Sequence, residues 1–486
     1  MLTIRRWLVS ALVTMLALGA ASAPGADRED WYVVELQGQR TGWMREHQRL
    51  TERGWESGME MHLSFGRGGQ RATAGVETTF LETVDHEPIE MTMTQRLGNT
   101  PVTSRFVFTE DGITLTTVNA GQEFTQTMPR PEGEWMTPVE AYEHIAERLA
   151  AGAEEIRVRM VSPLVGPAPI ESVMFVEERE NIEAFGRIVP ALRARVETSL
   201  TPGERTVQWT DLEGRAVRTE QSMGAMSLTV IAADQQLALA EPDAPEIMTA
   251  TFVKPTGAAI EDPRLATRAE YVLSAGGGEI PALSSGAQEA ERLEDGRVRV
   301  RLDLSRVDDD PSGPEHLESS SMIAADDAVV VQLRDRALEG VQETPVDRAL
   351  ALRRFVYEFV EEKSLGVGFA SASEVARTAA GDCTEHAVLL AALLRSAGIP
   401  SRVVSGLVYT QAFAGAQDVF GYHAWTQARL DGRWVDLDPT LPGPAPFDAA
   451  HIALSVTPMR DGMLVNSLME LGSIMGRLEI ETVRIR

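Results

Sequence analysis

"AAGDCTEHAVLLAALLRSAGIP", Ala379 to Pro400, holds the only cysteine in a chain of 486 residues. Asp382 has the character of an N-cap, and Glu385 three residues on completes a capping box, which puts Cys383 at the first helical position. Apolar Val388, Leu389, Leu390, Leu393 and Leu394 carry the helix forward, and Gly398 with Pro400 behind it marks the end. A thiol at a helix start meets the positive end of the backbone dipole and unpaired N–H groups, which favour the nucleophilic thiolate. The same N–H groups can hold an oxyanion. A lone cysteine is also commonly a small buried hydrophobe, so position alone leaves both readings open.

A second stretch, "GYHAWTQARLDGRWVDLDPT" from Gly421 to Thr440, supplies what the cysteine lacks. Asp431-Gly432 reads as a two-residue hairpin turn, which pairs Leu430 with Arg433 and fixes the register. Trp425 then lies opposite Asp438 and His423 opposite Thr440, so His423 and Asp438 are diagonal neighbours on one face. Trp425, Gln427 and Asp436 share that face, while Ala424, Ala428, Val435 and Leu437 point to the other. Asp436 faces Gln427, one pair farther from His423. A cysteine at a helix start with a His–Asp pair on adjoining strands is the general form of an activated-thiol site. His386, three residues after Cys383, has no evident orienting acid and reads as structural. The histidines lack zinc spacing and the acidic residues form no calcium loop, so neither a metal nor another cofactor is expected.

Taken in order, "GDCTEHA", "YHAW" and "WVDLDPT" resemble the three motifs of the transglutaminase-like superfamily, over roughly residues 320–442. "GIPSRVVSGLVY" between them is similar to the family's central strand. The resemblance implies an α+β fold with a papain-like core, in which the cysteine helix packs on antiparallel strands. It also implies Cys383 as the nucleophile, His423 as general base and acid, and Asp438 as the residue that orients the ring. The implied chemistry is acyl transfer on amide or peptide bonds through a thioester. The motifs do not separate peptidases and amidases from cross-linking enzymes. Hydrolysis of a protein or cell-wall peptide is the first reading. Protein-glutamine transglutamination is one alternative, and a non-catalytic binding or scaffold protein that keeps the fold is another. That all three motif positions are filled counts against the last.

The remainder of the chain sets the context. "MLTIRR", then "WLVSALVTMLALGAASA", has the basic, apolar and small-residue order of a secretory signal over residues 1–25, so an extracytoplasmic protein is expected, periplasmic or secreted. An uncleaved membrane anchor is the alternative, since Trp7 to Ala23 is close to spanning length. No later stretch is apolar enough to span. Residues 27–245 read as a β-rich domain with one helix, capped by Thr137-Pro138-Val139-Glu140, and with a hairpin expected at Asp111-Gly112. A proline- and acid-rich stretch, Glu241 to Pro263, opens a β-rich connecting segment over 246–313. There Val298, Val300 and Leu302 alternate with a row of arginines that reads as a solvated strand face. The catalytic domain is expected over 314–445 and closing strands over 446–486. A net charge of −27, with Lys254 and Lys363 the only lysines, repels polyanions and argues against nucleic acid as a partner. One cysteine cannot form an intramolecular disulfide. Oligomeric state leaves no mark in the sequence.

Overall fold

Period-two alternation through the first half of the chain produces two antiparallel meanders. Eight strands run from Arg28–Leu36 to Gln122–Met128 and six from Glu155–Ser162 to Met226–Ala233. The first and last of these strands pair, with Val33 opposite Ile231, and so join the meanders into one fourteen-stranded sheet. This is a computed structural model, and it describes residues 27–486 except 68–69, 97–100, 120, 201–205, 212–213, 224–225, 247, 277–278, 343, 362–369, 461–473 and 475. The leader read in residues 1–25 lies outside the described residues. Among those residues no helix is long and apolar enough to cross a membrane.

An open sheet of this width tends to curl, and here its two arms share cores. Val161 packs with Phe106 and Phe108, and Leu164 and Ile170 pack with Met61 and Phe65. The hairpin expected at Asp111-Gly112 turns one residue earlier, because Thr109 pairs with Gly112 and leaves Glu110 and Asp111 as the loop. Gly112, with a φ of 150°, opens the second strand instead of sitting in the turn. The expected helix forms over Pro138–Ala150 with Thr137 as its cap and buries Val139, Tyr142 and Ile145. Its start is held by fully buried Glu82, which accepts the Thr137 hydroxyl at 2.7 Å and the Val139 N–H at 3.2 Å. A carboxylate at a helix N-terminus is favourably placed against the dipole.

In the second half, helices Ala328–Ala337, Pro345–Phe359 and Ala372–Thr378 surround a fourth, Cys383–Ser396. This cysteine helix is buried from Thr384 to Arg395, as a helix enclosed on all sides must be apolar nearly all round. It lies on a four-stranded antiparallel sheet whose order is Arg433–Leu437 (the aspartate strand), Ala416–Leu430 (the histidine strand), Ser401–Phe413 (the central strand) and His451–Thr457 (the edge strand). Alternation divides that sheet's side chains. Val403, Ala424, Ala428 and Leu437 join the helical core, whereas Val404, Leu407, Trp425 and Ile452 join a second core on the opposite face.

The second core is shared with the connecting segment. A five-stranded sheet, in the order Thr256–Gly257, Leu478–Ile485, Arg268–Ala275, Val298–Asp303 and Gln288–Arg292, contributes Tyr271, Leu273, Val298, Val300 and Ile480 to it. The closing strand thus lies between two strands of the connecting segment. The arginine row is surface structure: Arg299 pairs with Glu270 at 3.3 Å and Glu291 at 2.9 Å. Tyr422, adjacent to His423, packs against this core and against a core of the N-terminal sheet. All three parts of the molecule therefore reach the histidine strand.

The loop Ser285–Ala287 docks the connecting segment onto the sheet. The Ser285 hydroxyl donates to Gln427 Oε1 at 3.0 Å, and the Ala287 N–H donates to Asp436 Oδ2 at 2.8 Å. Arg402, buried, spans the junction by donating to Gln427 Oε1 at 2.7 Å, Ser285 Oγ at 2.9 Å and Asp308 Oδ2 at 3.2 Å. Gly286 sits between these bonds with a φ of 56°, and a Cβ there would lie 2.1 Å from Asp436 Oδ2 and 2.4 Å from Gln427 Nε2. Gly286→Ala is accordingly expected to lower stability by about 2 kcal/mol or more, combining left-handed strain with displaced buried hydrogen bonds. Urea denaturation of the full chain measures this, and an unchanged midpoint would show that the docked loop contributes nothing.

Candidate active site

The cysteine is placed by its own cap. Asp382 accepts the Thr384 N–H at 2.8 Å, and Glu385 Oε2 in return accepts the Asp382 N–H at 2.9 Å. Gly381 precedes the cap with no room for a side chain: a Cβ would lie 2.2 Å from Glu385 Cβ. Glu385 is completely buried and also accepts the Ala370 N–H at 3.0 Å. Burial, then the charge of neighbouring Asp382, push its carboxyl well above the usual range, which favours the neutral form beside the thiol. Cys383 itself is partly exposed. His386 is buried with Nδ1 2.6 Å from the Asp382 carbonyl oxygen, so its ring is tied to the helix's own first turn.

The turn chemistry of the hairpin fixes its partners. Asp431 and Gly432 have φ values of 48° and 80°, as a type I′ turn requires. Leu430 pairs with Arg433 and Gln427 with Asp436, the register expected from the turn. Beyond the last pair, His423 Nε2 lies 2.9 Å from Asp438 Oδ2. Cys383 lies near enough to the His423 ring to act on it electrostatically, and with Nε2 committed to Asp438, Nδ1 is the nitrogen left for the sulfur. The structure thus brings together Cys383, His423 and Asp438. Burial alone would push the His423 ring down, but the Asp438 charge and hydrogen bond, with nearby Cys383 adding to them, outweigh it, and the pKa is raised to about 10. The ring is therefore an imidazolium at neutral pH.

Asp438 is completely buried. Oδ1 accepts the Thr440 N–H at 2.7 Å and the Thr440 hydroxyl at 2.8 Å. Although burial acts to raise it, the adjoining imidazoles dominate and hold the carboxyl well below its usual range. Its backbone is fixed by Arg353, a buried residue of helix Pro345–Phe359, which donates from Nε to the Asp438 carbonyl at 2.9 Å and from its two terminal nitrogens to the carbonyls of Gly443 and Leu441. Asp436 does different work. It accepts Trp425 Nε1 at 2.8 Å and Gln427 Nε2 at 2.7 Å, so it holds the wall behind His423 and the docked loop. Trp425 is nearly inaccessible, and its ring lies 6.2 Å from that of His423.

Sequence reasoning missed a second histidine. His451, fully buried at the start of the edge strand, places Nε2 3.1 Å from the same Asp438 Oδ2 and Nδ1 2.9 Å from Asp448 Oδ1. Asp448 pairs in turn with Arg264 Nη1 at 2.5 Å. His423, Asp438 and His451 also form the one group of His, Cys, Asp and Glu side chains among the described residues whose ligand-type atoms all lie within 4.8 Å. Three separate segments supply it, so no spacing rule finds it. Each of these Nε2 atoms already faces the carboxylate, and the arrangement is a hydrogen-bonded chain.

Comparison with known proteins places this stretch. Residues 334–439 match the model of the transglutaminase-like superfamily. No curated protein shows significant similarity to the chain. Among solved structures, a β-barrel-like protein of a domain of unknown function from Brucella abortus is 10% identical, with 43% of this chain and 96% of that one covered at a TM-score of 0.33. A candidate cysteine protease from Cytophaga hutchinsonii is 15% identical over 49% of this chain and 86% of its own, at a TM-score of 0.28. For a candidate protease from Parabacteroides distasonis the values are 12%, 82% and 70%, at a TM-score of 0.20. Cys383, His423 and Asp438 all lie within the stretch that matches the transglutaminase-like superfamily.

Proposed function

We propose that the chain is a cysteine-dependent acyl-transfer enzyme, a hydrolase or peptidase acting on amide bonds through a thioester. The observation that carries the reading is the 2.9 Å contact of His423 with buried Asp438, beside Cys383 at a helix start. A cysteine helix laid on antiparallel strands, with the base and its acid on adjoining strands, also supports the reading of a papain-type core.

In the proposed reaction the Cys383 sulfur attacks the carbonyl carbon of a carboxamide or peptide, and the C=O electron pair moves onto oxygen. The helix N-terminus faces the developing oxyanion. Collapse of the intermediate breaks the C–N bond, and His423 gives its Nδ1 proton to the departing nitrogen. Water then attacks the thioester and gives a proton to His423, and the acid leaves as the Cys383–His423 pair is restored. An amine in place of water would give transglutamination. Asp438 holds the ring in the orientation that both steps need and stabilises its charge. The basic and apolar leader, residues 1–25, supports action outside the cytoplasm, on protein or cell-wall peptide.

Product mass after incubation with a glutamine-containing peptide, with and without a primary amine, tests the reaction class. Ammonia loss or peptide cleavage is the expected result, and an amine adduct would instead assign cross-linking. Cys383→Ala should lower turnover by at least about 10³-fold in a folded chain. Undiminished turnover in that variant would remove the thiol from the mechanism and favour a binding protein with an unrelated activity.

The pH profile tests the role of Asp438. Because His423 must be protonated to release the leaving group, activity should persist below its pKa and fall as pH rises through about 10. Asp438→Asn removes the charge that raises the ring, so the basic limb should move toward the ordinary imidazole value, about 6.5, with turnover down about 10²- to 10⁴-fold. A basic limb that stays in place in the folded variant would show that Asp438 does not govern the base.

A further inference from the structure

The unabsorbed part of the site is its inner half, His451 with Asp448 and Arg264. A neutral imidazole has one N–H donor and one bare acceptor nitrogen. Both nitrogens of His451 face carboxylate oxygens, Asp448 Oδ1 at 2.9 Å and Asp438 Oδ2 at 3.1 Å, at a side chain with no solvent exposure. A neutral ring would therefore set a lone pair against an oxygen, with no water to separate them. Neither acid is suited to carry the missing proton. Asp438 already accepts His423 on Oδ2 and Thr440 twice on Oδ1, and Asp448 accepts the Ala450 N–H at 2.9 Å and pairs with Arg264.

We propose that His451 is a resident imidazolium that shares the charge of Asp438 with His423, and so acts as a positioning residue that weakens the hold of His423 on its proton. This rests on the reading of His423 as the acid for the leaving group. The other groups facing His451 are consistent with it. Phe447 and Trp425 enclose the ring with centroids at 4.4 and 5.3 Å, and the His423 ring lies at 5.7 Å. Beyond them stand Asp436, bound to Trp425, and Arg353, bound to the Asp438 backbone. Although burial acts to lower the His451 ring, Asp448 and then Asp438 raise it. Charges alternate along the chain: Arg264, Asp448, His451, Asp438, His423. Arg264 comes from the connecting segment, so that segment completes the charge balance of the site.

The direct test is ¹⁵N NMR of the full chain with labelled histidine, the His451 resonances being identified by their loss in His451→Asn. Both ring nitrogens should remain protonated from pH 6 to 9, and in Asp448→Asn, which keeps the ring but removes one anion, deprotonation should enter that range. A neutral wild-type ring in the range would overturn the proposal, whatever the enzyme's activity proves to be. A kinetic readout separates charge sharing from simple support. In His451→Asn the undivided Asp438 charge makes His423 a poorer acid, so amide turnover of a glutamine-containing peptide should fall roughly tenfold. Acylation by p-nitrophenyl acetate, whose leaving group needs no proton, should stay within about twofold. Parallel loss of both activities would reduce His451 to a packing role. Absence of either activity in the wild type would count against the proposed function and leave the NMR result to decide the protonation.

Discussion

A single carboxylate oxygen, Asp438 Oδ2, receives two imidazoles in a region closed to water. An ionised carboxylate there is tolerable only if charge and hydrogen bonds replace what water gave it, since an unpaired buried charge costs several kcal/mol. Much of the surrounding architecture can be understood as meeting that requirement. The Thr440 backbone and hydroxyl fill Oδ1, Arg353 ties the following turn down by three carbonyls, and His423 and His451 supply positive charge. The anion in turn keeps His423 charged beside Cys383.

The same requirement explains why the transglutaminase-like stretch is embedded in more chain. Arg264 lies 184 residues before Asp448 in sequence yet binds its carboxylate, and the loop Ser285–Ala287 caps Asp436 and Gln427 on the face that carries His423. The closing strand, Leu478–Ile485, joins the sheet that presents that loop. Tyr422 extends the contact to the N-terminal sheet. The site is a property of several segments, although its three outer residues come from one.

The parts legible in the sequence were those governed by local rules. The capping box of Asp382 and Glu385 placed Cys383 at a helix start, and Thr137 and Glu140 placed the N-terminal helix, because cap chemistry depends on residues three apart. Asp431-Gly432 set the pairing of Gln427 with Asp436, since a two-residue primed turn determines every pair that follows. At Asp111-Gly112 the same dipeptide misled by one position: the strand pairing closed on Gly112 and left Glu110 in the loop. Nothing local marked His451, Asp448, Arg264 or Arg353. Their roles come from strand order and from contacts across the chain, and a lone histidine opening a short apolar strand looks like any buried residue.

In the proposed mechanism Asp438, through His423, makes Cys383 a nucleophile. The rate of alkylation of Cys383 by iodoacetamide, compared between the wild type and a folded Asp438→Asn variant at neutral pH, tests it without knowledge of the substrate. The variant should react at least about tenfold more slowly, because a neutral His423 no longer favours the thiolate. Equal rates in the two proteins would contradict it.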